Sequence, residues 1–230
     1  MEKLHNGFTL ELCPGAFPLS TDSIALADFV RLPKNAAVLD IGSGCGTLGL
    51  LLCSRDDICK VTGIELDANA HETALNNISA NGVHSRLSSI CADAAGLNRL
   101  IAPGSFSCCV SNPPYFSAGP ASQKTPLARR DDMLSADALF AGAAWALRYG
   151  GDFFLVHKPE MLAQLCALGG KHNLQAKRLC LLRHKEGGPV TLILLHLRKG
   201  AKPGLVWQEE ALYHSDGTPT PYYRRLYKEE

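Results

Sequence analysis

The stretch Val38-Leu39-Asp40-Ile41-Gly42-Ser43-Gly44-Cys45-Gly46-Thr47-Leu48-Gly49 decides the fold of this chain of 230 residues. An apolar strand leads into closely spaced glycines, and a helical segment follows them. Glycine lets a ligand approach the backbone closely, and the amino terminus of a helix favours polar or anionic groups. The stretch therefore predicts a strand, a ligand-binding turn and a helix in succession.

Strands and helices alternate along the rest of the chain. Apolar runs predict strands over residues 37–41, 60–65, 86–92, 106–111, 152–157, 176–183 and 190–198. Helical patterns fill residues 47–54, 68–81, 136–148 and 159–170. This alternation is typical of an α/β protein with a mostly parallel, seven-stranded, Rossmann-like sheet and helices on both faces. The short, turn-rich loop at 185–189 adds an antiparallel hairpin at the C-terminal end.

Composition and cysteine usage predict the broad class of protein. The hydrophobic fraction of 46% and the charged fraction of 20% are those of a globular chain. It has no apolar run long enough for a membrane span and no apolar signal region at its start. Nine cysteines are scattered without a Cys-x-x-Cys pair, which favours reduced thiols, a cytoplasmic location and no metal site. We expect one domain over residues 1–230, with a hairpin and helix in 1–36 and a catalytic core in 37–230.

Polar side chains occur at or next to the ends of four successive strands. An acid at Glu65 can hold two ribose hydroxyls, and Asp93 can accept a hydrogen bond from an adenine amine. With Asp40 and Asn112 they converge at the carboxyl edge of a parallel sheet, where such sheets bind ligands. Residues 44–49 also satisfy the Gly-x-Gly-x-x-Gly pattern of dinucleotide-binding proteins, so the glycines alone leave a nicotinamide enzyme open.

The run Val110-Ser-Asn-Pro-Pro-Tyr-Phe116 follows the fourth strand of this series. Asn112 can both donate and accept hydrogen bonds. Pro113 and Pro114 remove two backbone donors and fix φ, which holds the neighbouring carbonyls in place. Tyr115 supplies a flat ring. An amide, fixed carbonyls and a ring are suited to gripping a planar group that carries an NH2.

These motifs resemble those of a known enzyme class. Asp40 before the three glycines resembles motif I of class I S-adenosylmethionine (SAM)-dependent methyltransferases. The Asn-Pro-Pro-Tyr run resembles the motif of members that modify planar amino or amide nitrogens. Over nearly its whole length the chain resembles the tRNA adenine-N6 methyltransferases that act on the adenosine next to the anticodon of a valine tRNA. The flanking segments of this resemblance are Phe17–Asp22, Ala128–Asp131, Asp216–Thr218 and the pair Tyr222 and Tyr223.

The resemblance implies SAM as cofactor, N6-methylation of an adenine in RNA, and a tRNA anticodon loop as substrate, without a metal or a membrane. The catalytic residues it implies are Asn112, Pro113 and Tyr115. The cofactor-binding residues it implies are Asp22, Asp40, Gly42, Gly44, Gly46, Glu65, Asp93 and Asn112. The substrate-binding residues it implies are Pro114, Phe116, Lys124, Arg129 and Arg130.

The distribution of charge agrees with a phosphate-bearing partner. Residues 171–203 carry eight basic side chains and one acid, a net charge of +7, whereas the whole chain has a net charge of only +1. A basic surface attracts nucleic acid. We therefore expect this segment, with the basic residues after Tyr115, to contact RNA around the pocket.

Other functions share parts of this pattern. A glutamine-N5 methyltransferase for release factors carries Asn-Pro-Pro-Tyr, but that family usually has a helical domain before motif I, and only 37 residues precede Val38. An amino-methyltransferase acting on DNA or ribosomal RNA stays open. A nicotinamide oxidoreductase would need a catalytic group that the sequence does not place. A non-catalytic module with a relic cofactor site is disfavoured, because every expected polar residue is present.

Overall fold

The computed structural model describes residues 2–4, 7–14, 19–55, 59–114 and 134–228. Its strands are β1 (Glu2–Lys3), β2 (Thr9–Leu10), β3 (Ala36–Ile41), β4 (Cys59–Glu65), β5 (Leu87–Cys91), β6 (Phe106–Ser111), β7 (Leu147–His157), β8 (Leu174–Lys185), β9 (Val190–Lys199) and β10 (Val206–Tyr213). Its helices are α1 (Thr21–Phe29), α2 (Thr47–Cys53), α3 (Ala68–Ala80), α4 (Leu97–Leu100), α5 (Ala136–Ala146), α6 (Leu162–Lys171) and α7 (Pro221–Tyr227).

One large sheet organises the described residues. Its eight strands lie in the order β10-β8-β9-β7-β6-β3-β4-β5, and β1 pairs with β2 in a separate antiparallel hairpin. The strands from β7 to β5 pair in parallel. β9 is antiparallel to both of its neighbours, and β10 is parallel to β8. The carboxyl ends of β3 to β8 and β10 therefore share one edge of the sheet, where β9 begins.

The predicted α/β architecture is confirmed, with one strand more than expected. The hairpin of β8 and β9 matches the predicted C-terminal hairpin. The eighth strand is β10, whose first four residues, Val206 to Glu209, are all exposed. A strand at the edge of a sheet buries little of either face, so its sequence lacks the alternating apolar pattern that marks a half-buried strand.

Two apolar layers pack the helices onto opposite faces of the sheet. Alternate strand residues point to opposite faces, so that Phe154 joins one layer and Phe153 the other. One layer contains buried residues of α1, α2, α3 and α7, and the other those of α4, α5 and α6. No helix in the described ranges is long and apolar enough to cross a membrane. The two layers leave the carboxyl edge of the sheet as the place where the predicted polar side chains meet.

Candidate active site

The glycine-rich turn after β3 is held against the end of β4. The amides of Gly42 and Ser43 both donate to the carbonyl of Ile64, at 2.9 and 3.0 Å. Gly42, Gly44 and Gly46 have φ values of 75°, 54° and 82°, a region that side chains rarely adopt. A Cβ atom at Gly42 or Gly44 would meet nothing within 4 Å. The turn is therefore fixed from behind and open in front, as close approach of a ligand requires.

Glu65, at the end of β4, links this turn to the next helix. Its Oε2 accepts a hydrogen bond from the Gly44 amide at 2.7 Å, and its Oε1 accepts one from the Asp67 amide at 2.9 Å. Each carboxylate oxygen has two lone pairs, so one on each oxygen remains for a ligand hydroxyl. The side chain is half-buried. This arrangement fits the predicted contact with a ribose.

Asp40 lies beneath the turn with only 2% of its surface exposed. Burial raises the pKa of its carboxyl to about 7, the nearby charge of Glu65 adds to the rise, and a hydrogen bond from the Gly49 amide opposes it. Its Oδ2 has no hydrogen-bond partner among the atoms that the structure describes, and neither has the buried Oγ of Ser43. Both atoms are buried beneath the turn, and the Oγ of Ser43 faces Gly63 of β4, so neither is open to a ligand.

Asp93 follows β5 at the same edge and is exposed. Its carboxylate accepts a hydrogen bond from the Ala95 amide at 2.8 Å and caps the 3₁₀ turn Ala94–Gly96. The sheet order places Asp93 next to Glu65 and on the far side of it from Asn112. Capping and the predicted contact with an adenine amine are compatible, since a carboxylate accepts several hydrogen bonds.

Asn112 follows β6, on the other side of the glycine turn, and its amide is oriented by helix α1. Its Nδ2 donates to the Oγ of Ser23 at 3.0 Å. Ser23 is buried, with 8% of its surface exposed. In this orientation Oδ1 is the part of the amide left to accept a hydrogen bond from a substrate NH2. Pro113 is buried and Pro114 exposed. The sequence argument missed Ser23, which lies 89 residues away from Asn112 along the chain.

Asp22 lies on the side of Asn112 away from the glycine turn. It lines a cleft of about 320 Å³ beside Lys158 and the ends of β8, β9 and β10. Burial raises the pKa of Asp22, and the charge of Lys158 opposes that rise. Its predicted contact with the cofactor stays a prediction. Tyr115, Phe116, Lys124, Arg129 and Arg130 lie outside the described residues.

The basic segment 171–203 does not form one surface around Asn112. At the amino edge of the sheet, Lys171 pairs with Asp137 at 2.7 Å and Arg198 with Asp152 at 2.7 Å. Near the middle of β8, the guanidinium of Arg178 lies 4.4 Å from the ring centroid of Phe29. Of the eight basic side chains, the strand register places only Arg183 and Lys185 near the carboxyl edge. The net charge of the segment is therefore larger than the positive charge near the site, because its basic side chains are distributed over both ends of the sheet.

Two asparagines, Asn77 on α3 and Asn81 directly after it, hold the N-terminal segment over the glycine turn. Asn77 accepts from the Glu11 amide at 2.8 Å, and its Nδ2 donates to the carbonyls of Glu11 and Cys45 at 2.8 and 2.9 Å. Asn81 forms the same two-way contact with the backbone of Thr9 at 2.8 Å. These residues were also missed. Their signal in the sequence is the spacing of four between two amides on one helix face.

Comparison with known proteins decides the family. The family model described as "Methyltransferase small domain" matches residues 20–169. The chain is 31% identical over 203 residues to a tRNA1(Val) (adenine(37)-N6)-methyltransferase of Photobacterium profundum, covering 86% of this chain and 85% of the relative. It is 30% identical over 223 residues to the protein of that name from Vibrio parahaemolyticus, covering 94% and 90%. The chain belongs to this methyltransferase family.

Solved structures give the same fold. A predicted O-methyltransferase of Agrobacterium tumefaciens superposes with a TM-score of 0.75 at 19% identity, covering 90% of this chain and 96% of that one. A methyltransferase of Pyrococcus furiosus gives a TM-score of 0.61 at 22% identity, covering 86% and 91%. The resemblance inferred from the sequence motifs is thus confirmed. The contacts predicted between a cofactor and the glycine turn, Glu65 and Asp93 stay predictions.

Proposed function

We propose that the chain transfers the methyl group of SAM to N6 of an adenine in RNA, in the anticodon loop of a tRNA. The observation that carries the proposal is the hydrogen bond from Asn112 Nδ2 to Ser23, which leaves Oδ1 as the acceptor of this amide for a substrate. An exocyclic NH2 offers hydrogens, so only an acceptor can grip it. The names of the relatives agree, since each is an adenine-N6 methyltransferase of tRNA1(Val).

The residues at the glycine turn fit SAM. Gly42 and Gly44 leave open space where a Cβ would lie, Glu65 retains acceptor capacity for two ribose hydroxyls, and Asp93 can accept from the adenine amine. The carboxyl of Asp40 beneath the turn adds negative potential near a cationic ligand. When bound, SAM supplies an electrophilic methyl carbon. No three His, Cys, Asp or Glu side chains within the described ranges are grouped so as to hold a metal ion.

The protein's work in this reaction is to place two reactants in line. The lone pair of the adenine NH2 is delocalised into the ring, which makes this nitrogen a poor nucleophile. Hydrogen bonds from its two hydrogens to Asn112 Oδ1 and the Pro113 carbonyl favour the pyramidal nitrogen that attacks. In this proposal Tyr115 stacks on the base after it has turned out of the loop, a contact worth ~1–3 kcal/mol. Phe116, Lys124, Arg129 and Arg130 extend the RNA contact along the same segment.

The whole chain acts as one methyltransferase domain in this proposal. Residues 1–36 belong to it because α1 supplies Ser23 to the acceptor site and residues 9–11 are clamped to α3. A tRNA substrate also implies a cytoplasmic location.

Methyl transfer to an unmodified tRNA1(Val) transcript tests the proposal. The purified protein with SAM should form N6-methyladenosine, detected by mass spectrometry of nucleosides, and a transcript with guanine at position 37 should stay unmethylated. Asn112→Ala should lower kcat about a hundredfold or more while leaving affinity for S-adenosylhomocysteine within about threefold. Ser23→Ala should lower kcat about two- to tenfold, which is the value of one hydrogen bond.

Other substrates serve as the competing outcomes of this test. A release-factor peptide with its glutamine, a DNA duplex and a ribosomal RNA fragment are offered under the same conditions. Methylation of any of these in preference to the tRNA transcript would refute the proposed substrate, and near-normal turnover of Asn112→Ala would refute the assigned role of the amide.

A further inference from the structure

A second recess lies beside Asn112, on the side away from the glycine turn. It has a volume of about 320 Å³, at the lower end of the range for small-ligand pockets. Its floor is formed by three buried leucines, Leu182, Leu192 and Leu212. Its polar lining consists of Thr21, Asp22, Lys158, His184 and Thr191. An apolar floor with a polar rim matches a nucleobase, which has flat apolar faces and a hydrogen-bonding edge.

A row of aromatic rings extends from His184, which lines the recess. His184 lies 5.1 Å from Tyr213, Tyr213 lies 5.1 Å from Tyr223, and Tyr223 lies 4.5 Å from Tyr227, measured between ring centroids. The hydroxyl of Tyr227 makes a 2.8 Å hydrogen bond with the Oγ1 of Thr21. The row thus begins at His184, which lines the recess, and ends at Tyr227, whose hydroxyl contacts Thr21 of the recess. Rings held by their neighbours form a fixed stacking surface, which costs little conformational entropy when a base binds.

Charge at the recess favours an RNA segment over an apolar peptide. Lys158 lines the recess and is close enough to Asp22 to oppose the rise in its pKa. Of the acids nearby, Glu186 is paired with His214 at 2.9 Å. The rim therefore offers one cation, Lys158, for a phosphate, and Asp22 as an acceptor for a base amine.

Helix α1 contributes residues to both the recess and the acceptor site. Thr21 and Asp22 line it, and the next residue, Ser23, orients Asn112. We infer that the recess binds the unpaired nucleotide next to the target adenine, with its base between the leucine floor and the ring of His184 and its phosphate near Lys158. This inference rests on the proposed function, and it adds a second contact by which the enzyme selects a loop over a single free base.

The test combines His184→Ala with abasic RNA. A stem–loop of the anticodon arm is prepared with a normal loop and with an abasic nucleotide on either side of the target adenine. For the native enzyme, one of the two abasic substitutions should raise KM by about fivefold or more. His184→Ala should raise KM for the normal loop similarly and show no further rise with that abasic loop. Lys185→Ala, which strand alternation points to the opposite face, is the matched control and should keep the response of the native enzyme.

Each outcome decides the inference. Equal KM values for all three loops, or additive effects of His184→Ala and the abasic nucleotide, overturn the second site while the proposed function stands. No methylation of the normal loop by the native enzyme overturns both. If a glutamine peptide inhibits methylation of the RNA loop by the native enzyme but not by His184→Ala, the recess binds a protein substrate, and this result also overturns the inference. Unchanged affinity of His184→Ala for S-adenosylhomocysteine shows that the variant is folded, and Lys158→Gln provides a second variant with the same expected rise in KM.

Discussion

Replacing Asp40 by asparagine should stabilise the free protein above neutral pH. The carboxyl is buried and its pKa is raised from 3.8 to about 7. Below pH 3.8 it is protonated in both the folded and the unfolded state, so it has no effect on stability. As the pH rises from about 4 to 7, the unfolded state loses the proton first, and the free energy of unfolding falls. Above pH 7 the folded protein carries the full cost of a buried charge.

The size of this cost follows from the shift in pKa. One pKa unit corresponds to about 1.4 kcal/mol, so a rise from 3.8 to about 7 corresponds to roughly 4 kcal/mol at pH 8. Asparagine keeps the shape and the acceptor for the Gly49 amide, but it cannot ionise. It retains an unpartnered polar group where Oδ2 lies, as the protonated acid does. We therefore expect a gain of about 2–4 kcal/mol at pH 8 and almost none at pH 4, which is roughly 4–16 °C in Tm for a chain of this size.

Thermal unfolding between pH 4 and pH 8, without ligand, measures the effect. The native protein should lose stability across this range relative to Asp40→Asn, with the two Tm curves diverging up to about pH 7. Asp93→Asn is the control, because Asp93 is exposed and asparagine preserves its cap on the 3₁₀ turn. Parallel Tm curves for the native protein and Asp40→Asn at every pH would show that the carboxyl is not buried as a charge, and the reasoning would fail.

Two further substitutions test the cofactor side of the site. Glu65→Ala should weaken the binding of S-adenosylhomocysteine at least about tenfold in calorimetric titration, because hydrogen bonds to a charged acceptor are worth ~1.5–3 kcal/mol each. Glu72→Ala, at an exposed residue, is the control and should leave this binding unchanged. Unchanged binding by Glu65→Ala would remove Glu65 from the cofactor site. Gly63→Ala should destabilise the protein by about 1–3 kcal/mol, because its Cβ would lie 2.6 Å from the Oγ of Ser43. The double variant Gly63→Ala with Ser43→Gly should regain most of the lost free energy of unfolding, measured by chemical denaturation. If it regains none, the clash does not involve Ser43.

The cofactor side of the site could be predicted from the sequence because it depends on local patterns. A strand that ends in glycines and a following helix specify the turn at Gly42–Gly46. Parallel strands then bring Glu65, Asp93 and Asn112 to the same edge without any knowledge of side-chain packing. The structure places all of these residues at the edge where they were expected.

The acceptor side depends on contacts that sequence patterns do not show. The bond from Asn112 to Ser23 joins residues 89 positions apart, and nothing in the sequence of α1 marks Ser23 as different from a buried core serine. The recess is lined by residues of three strands and one helix, together with Lys158 after β7, and each of these residues is ordinary in its own segment. For the basic segment 171–203 the sequence predicted too much, because charges that are close in sequence were expected to form one surface. The antiparallel strand β9 instead divides them between the two ends of the sheet.

The order of the strands explains why the glycine turn and Asn112 lie on opposite sides of the proposed site. After β3 the chain continues to β4 and β5 on one side, and β6 and β7 lie on the other. The loops after β3 and β6 therefore leave the sheet in opposite directions and open a crevice between them, where sheets of this kind bind ligands. In the proposed reaction the glycine turn lines this crevice on one side and Asn112 on the other. A direct transfer requires a donor carbon and an acceptor nitrogen side by side, and a crevice with a cofactor wall and an acceptor wall meets that requirement without a covalent step on the protein.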